Sequence, residues 1–197
     1  MSEFSAFLQL GFDHISDLQA YDHLLFIITL CAVYQLKEWK KILILVTAFT
    51  IGHSTTLALS ALDIIRVPTD LVELLIPITI LLTSLHNVWA GEKKVFFIFK
   101  NISANYFLAL FFGTIHGMGF ANYFRNLFGG MGNIIKPLFA FNLGIEAGQL
   151  MIVLLFFSFY FLLSKMFKIK HREWTLYISG AGAGVALILI LDNLLGG

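Results

Sequence analysis

The chain has 197 residues, 58% of them hydrophobic and only 13% charged, with a formal net charge of +1. A soluble domain carries about 25% charged residues, so this composition excludes an ordinary soluble globule, and its near-neutrality argues against nucleic acid as a partner. Cys31 is the single cysteine, which excludes an intramolecular disulfide or a thiolate cluster and leaves nitrogen and oxygen as the ligands for any metal.

Met1 to Phe12 lacks a basic leader and a small-residue cleavage site, which reads against a cleaved signal peptide. Phe4, Phe7 and Leu8 suit a short helix lying in the membrane interface, within a segment 1–18. Six apolar runs follow, each near the ~20 residues that cross a bilayer as a helix: 20–36, 41–62, 70–90, 104–121, 137–163 and 174–194. The fifth is long enough to tilt or to project beyond the membrane. The expected fold is therefore all-α: a polytopic six-transmembrane-helix bundle forming one membrane domain over residues 1–197, with no soluble domain and no internal repeat.

Basic residues give that bundle an orientation. Lys37, Lys40 and Lys41 fall in the first loop, Lys93, Lys94 and Lys100 in the third, and Lys165, Lys168, Lys170 and Arg172 in the fifth, so ten of thirteen lie on one side. The positive-inside rule makes that side cytoplasmic and places both termini outside, N-out/C-out. Nine of the twelve acids fall toward the outer side, where an acidic mouth would concentrate cations.

The residues that carry chemistry share the outer half. Asp22 and His23 begin the first span, Glu73 lies one turn into the third, and His116 lies one turn from the outer end of the fourth. His53 and Glu146 lie about 13 Å below the outer boundary at ~1.5 Å per residue. Asn142, Glu146 and Gln149 share one stripe of the fifth span, and Glu73, Pro77, Ser84 and Asn87 share a stripe of the third. His86 points away from Glu73 and reads as a helix-bonding group. A carboxylate as deep as Glu146 needs a proton, a cation or a metal, because no lysine or arginine lies at its depth. Gly113/Gly117 and Gly144/Gly148 are small-residue pairs that let helix backbones approach closely, and Gly180/Gly184 repeats the pattern in the last span. His14 is a special case: a continuous helix would hold it about 13 Å from His23 on the opposite face, so it joins the others only if residues 15–21 break or fold back.

Imidazoles mixed with carboxylates suit nickel, cobalt, zinc or iron(II), whereas magnesium and calcium favour all-oxygen shells. The candidate metal ligands are His14, Asp22, His23, His53, His116 and Glu146, with Glu73, Asn142, Gln149, Ser54 and Asn87 in support.

Several stretches carry a family resemblance: Gly11-Phe12-Asp13-His14-Ile15, Tyr21-Asp22-His23-Leu24-Leu25-Phe26, Thr47 to Ser54, His116-Gly117-Met118-Gly119-Phe120-Ala121 and Phe141 to Gln149. From about residue 11 to 155 the chain resembles the HupE/UreJ family of bacterial membrane proteins. Seven residues separate His14 from Asp22, a wider interval than in the better-known members, so the likeness is to a broader branch. The resemblance implies handling of a divalent metal, nickel and sometimes cobalt, with the motif histidines and acids as ligands.

The leading expectation is a binding protein or permease for a divalent transition metal (nickel, cobalt or zinc) in the bacterial inner membrane, with its site facing the periplasmic or extracellular side. Its partners are the metal ion and the lipid bilayer; association with further copies of the chain is left open. The rival is a zinc-type intramembrane hydrolase acting on a lipid or lipid-linked substrate, with Glu73 or Glu146 as general base. No His-Glu-x-x-His helix or serine motif supports that enzyme, so the balance leans away from it.

Overall fold

The computed structural model describes residues 2–18, 21–89, 102–128 and 134–195. Among them the regular elements are all helical: α1 (Glu3–Ser16), α2 (Tyr21–Cys31), a 3-10 turn (Leu36–Glu38), α3 (Trp39–Ala61), α4 (Thr69–Trp89), α5 (Ile102–Phe128), α6 (Ile135–Phe167) and α7 (His171–Leu195). Lys93, Lys94 and Lys100, which contribute to the expected orientation, lie outside the described residues.

Five stretches are long and apolar enough to cross a membrane: Leu36–Ala61, Thr69–Trp89, Asn105–Leu127, Ile135–Phe167 and His171–Leu195. The expected first span over 20–36 is not among them. Its helix, α2, has 11 residues, about 16 Å of rise against a hydrocarbon core of roughly 30 Å. Beyond Cys31 the chain turns, with the Ala32 and Tyr34 amides donating to the Thr29 and Cys31 carbonyls at 3.2 and 3.0 Å. An apolar run reports what a segment can be buried in, but not whether its helix is continuous. α1 has 14 residues and buries Phe7, Gly11 and Ile15. Of the α1 residues expected in the interface, Phe7 and Leu8 pack into the core while Phe4 is exposed, and the helix lies along α6.

The closest pairings are α3 with α5, α1 with α6 and α4 with α7. The short α2 sits among them, touching α1, α4, α6 and α7, with Phe26 and Ile27 0% and 2% exposed. Two of these seams rest on glycine. A Cβ at Gly52 would collide with the Leu110 carbonyl, and one at Gly113 or Gly117 with the Phe49 or His53 carbonyl. At the α1–α6 seam, Gly11 meets the Phe141 carbonyl and Gly144 the Leu8 carbonyl. Hydroxyls stitch α3 to α5 as well: Thr56 Oγ1 donates to Thr114 O, and Ser60 Oγ to Ala121 O, both at 3.0 Å. Gly180 and Gly184 do not repeat the device, since a Cβ at either meets nothing within 4 Å among the described residues.

The α4–α7 pairing has a different logic. Pro77 inside α4 has no N–H to give, which frees the carbonyl four residues back, at Glu73. Asn193 Nδ2 on α7 donates to that carbonyl at 3.3 Å. At the other end of α4, Arg172 donates to the terminal carbonyls of Asn87 and Val88, satisfying groups that a helix C-terminus leaves orphaned.

Candidate metal centre

The centre is built where α1 ends and α2 begins. Ser16 Oγ turns back to the Phe12 carbonyl at 2.7 Å, and Asp17 leaves the helix in an extended conformation. Helix α2 restarts at Tyr21 with Asp22 in its first turn, where the helix dipole favours a carboxylate. This break meets the condition on His14: its ring centroid lies 4.8 Å from that of His23.

His53 on α3 joins them, with centroids 5.6 Å from His14 and 5.7 Å from His23. One ligand atom from each of the three rings can be chosen so that all lie within 4.8 Å of one another. His116 on α5 stands beside this triad, 5.2 Å from His23. His23 is 4% exposed, and His53 and His116 are 0% exposed. The Gly52, Gly113 and Gly117 seam allows this convergence, because it brings the α3 and α5 backbones together at the level of His53 and His116.

Each ring presents a buried nitrogen that lacks a partner. His14 Nε2, His23 Nε2, both nitrogens of His53 and His116 Nδ1 have no hydrogen bond among the described residues. Buried polar atoms are nearly always satisfied, so an assembly of such lone pairs suits a metal ion. Two of the rings are also held in a defined tautomer. His23 Nδ1 lies 3.0 Å from Asp22 Oδ1, which takes the ring proton there and frees Nε2. Thr79 Oγ1 spends its one proton on the Ile76 carbonyl at 2.7 Å and so accepts from His116 Nε2 at 3.0 Å, freeing Nδ1. Metal-ligating histidines are commonly fixed in this way.

Aromatic rings close the centre on two sides. Phe120 lies tilted against His14, with ring centroids 4.0 Å apart. One turn deeper on each helix, Phe26, Phe49 and Phe112 follow His23, His53 and His116. Phe26 lies 5.0 Å from Phe49 and 5.9 Å from Phe112, and together they form a floor. Outside His14 opens a cavity of about 590 Å³ whose lining includes Asp13, Asp17 and Tyr123. At the same end of the bundle, Arg66 donates to Asp63 at 2.8 and 2.6 Å, and Arg125 lies 3.8 Å from it. The hydrogen bonds from Arg66 hold the Asp63 carboxyl below its ordinary range. Beyond the phenylalanine floor, a second cavity of about 400 Å³ reaches from Phe112 to Tyr34, His86 and Asn105.

The expected site therefore divides. His14, Asp22, His23, His53 and His116 come together. Glu146 does not join them; it accepts from Thr47 Oγ1 at 2.7 Å in a groove between α3 and α6 that also holds Ser54 and Asn142. Gln149 is buried with its Oε1 on Thr50 Oγ1 at 2.7 Å. Glu73 is exposed on the α7 side of α4, and Asn87 donates to the Thr29 carbonyl at 2.6 Å. Neither carboxylate nominated as a general base lies in the histidine cluster. Thr79 is the residue that sequence reasoning missed. Thr79, Thr83 and His86 share a helical face about a third of a turn from the Glu73 stripe, a pattern that marks a polar face but names no partner for Thr79.

No solved structure and no curated protein matches this chain. The HupE / UreJ protein family matches residues 1–192 of it, a span that contains every histidine of the centre. The helices, the histidine cluster and this near-complete match agree, and the chain belongs to the HupE/UreJ family.

Proposed function

We propose that this protein binds a divalent transition-metal ion of the nickel or cobalt type at His14, His23, His53 and His116 and carries it across the bacterial inner membrane. One observation carries the reading: imidazoles from three helices bring ligand atoms within 4.8 Å of one another, and they and the neighbouring His116 carry buried nitrogens without a partner among the described residues. The family association with nickel and cobalt transport points to the same ions. Asp22 orients His23 rather than binding the ion. Three nitrogens around a tetrahedral ion such as zinc stand about 3.4 Å apart, given metal–nitrogen bonds of ~2.0–2.1 Å. The rings, with ligand atoms up to 4.8 Å apart, draw inward when the ion binds.

The surroundings fit passage better than storage. Both termini face outward in this reading, so the cavity with Asp13 and Asp17 gathers hydrated cations on the outer side. The Phe26, Phe49 and Phe112 floor blocks the way inward, and the cavity beneath it continues toward the lysine-rich face. Uptake therefore requires the floor to part, which is an alternating-access step.

Uptake of radiolabelled nickel, cobalt and zinc into proteoliposomes tests this. The wild-type protein accumulates at least one of these ions, and His53→Ala or His23→Ala abolishes accumulation. Purified protein that binds none of them, or a His53→Ala variant with undiminished uptake, overturns the reading.

A further inference from the structure

The groove that separates Glu146 from the histidines is a site of different chemistry. It lies between α3 and α6, about 400 Å³ in volume, with Thr47, Thr50, Ser54, Thr55, Asn142 and Glu146 as its polar lining. The hydroxyl protons are directed elsewhere. Thr47 gives its proton to Glu146 Oε1 at 2.7 Å, Ser54 to the Thr50 carbonyl at 2.6 Å and Thr55 to the Ile51 carbonyl at 2.7 Å. Thr50 has two acceptors within reach, the Val46 carbonyl at 3.1 Å and Gln149 Oε1 at 2.7 Å. A hydroxyl has one proton and two lone pairs, so these groups can offer the groove only acceptor oxygens. Asn142 Oδ1 is buried without a partner among the described residues, and none of the ten lining residues is basic.

An open groove between two apolar helices, rich in acceptor oxygens and with no basic side chain, favours a cation over an anion. Oxygen donors without nitrogen or sulfur select hard ions, not the borderline metals that imidazole prefers. One carboxylate among neutral oxygens balances one positive charge, and a divalent ion would leave a net charge between two apolar helices. We infer that the Glu146 groove is a second cation site, for a hard monovalent alkali cation, distinct from the histidine centre. Such an ion bridges α3, which carries His53, to α6, against which the His14-bearing α1 packs. The inference goes beyond the transport reading and stands on its own geometry.

The test is thermal unfolding of the purified full-length protein in sodium, potassium or N-methyl-D-glucamine chloride, at matched ionic strength and fixed pH, alongside nickel titration. At least one alkali cation raises the wild-type midpoint saturably over the organic cation. Glu146→Gln loses that response yet still binds nickel, whereas His53→Ala loses nickel and keeps the alkali response. Equal wild-type midpoints in all three salts overturn the inference, as does an alkali response that survives in Glu146→Gln. Loss of nickel binding in a folded Glu146→Gln protein also overturns it, because the groove then belongs to the histidine centre. If Glu146→Gln does not fold, Ser54→Ala and Asn142→Ala decide: weaker apparent alkali affinity supports the site, and unchanged affinity overturns it.

Discussion

Asp22 illustrates how much a residue can do without touching the ion. Its carboxylate accepts from both the backbone amide of His23 at 2.8 Å and its ring at 3.0 Å, fixing the position of the imidazole and its free nitrogen. Removal of such a support costs a metal site about 10–100-fold in affinity. Asp22→Asn is expected to weaken nickel or cobalt binding by that order while leaving the stoichiometry unchanged, as isothermal titration will show. Protons compete for the same lone pairs, because imidazole must be neutral to ligate. Metal affinity is therefore expected to fall on acidification, with protons taken up as metal leaves; an isotherm that stays unchanged down to the acid limit of folding contradicts histidine ligation.

The element-scale question is why helices from distant parts of the chain meet at one level. The α3–α5 seam depends on Gly52, Gly113 and Gly117, each opposite a carbonyl of the partner helix. Gly113→Val forces those backbones apart and is expected to cost about 1–3 kcal/mol as overpacking, seen as a lower unfolding midpoint together with weaker metal binding. Gly180→Ala is the control: a Cβ there meets nothing within 4 Å among the described residues, so both readouts stay unchanged. The sequence pattern is the same small-residue pair in both helices. Only the presence of a facing carbonyl distinguishes the pair that matters from the one that does not.

At the scale of the whole molecule, the cavity beside His14, a histidine layer, an aromatic floor and the cavity beyond it succeed one another along the bundle. Under the proposed transport function, orientation turns that order into a direction. Cysteine introduced at Ser2 is expected to react with a membrane-impermeant thiol reagent in intact cells, and cysteine at Lys168 only after permeabilisation. Cys31 is 2% exposed and stays silent in both. The reverse labelling pattern inverts the molecule and makes the histidine centre face the cytoplasm.

Composition and patterning alone made this an all-helical membrane protein, because apolar length and charge scarcity act locally on each segment. They also picked out His14, Asp22, His23, His53 and His116, since ionisable groups at depth are costly and rarely incidental. Three things were decided only by tertiary structure. The apolar run at 20–36 holds an 11-residue helix, because continuity depends on the break after Ser16, at residues 17–18, and on what α2 packs against. Glu146, expected at the depth of His53, meets Thr47 instead, because sequence gives a position along a helix whereas the neighbours across it are set by how the helices pack. Thr79 entered the site for the same reason: its value as a hydrogen-bond partner exists only once α5 has placed His116 beside it.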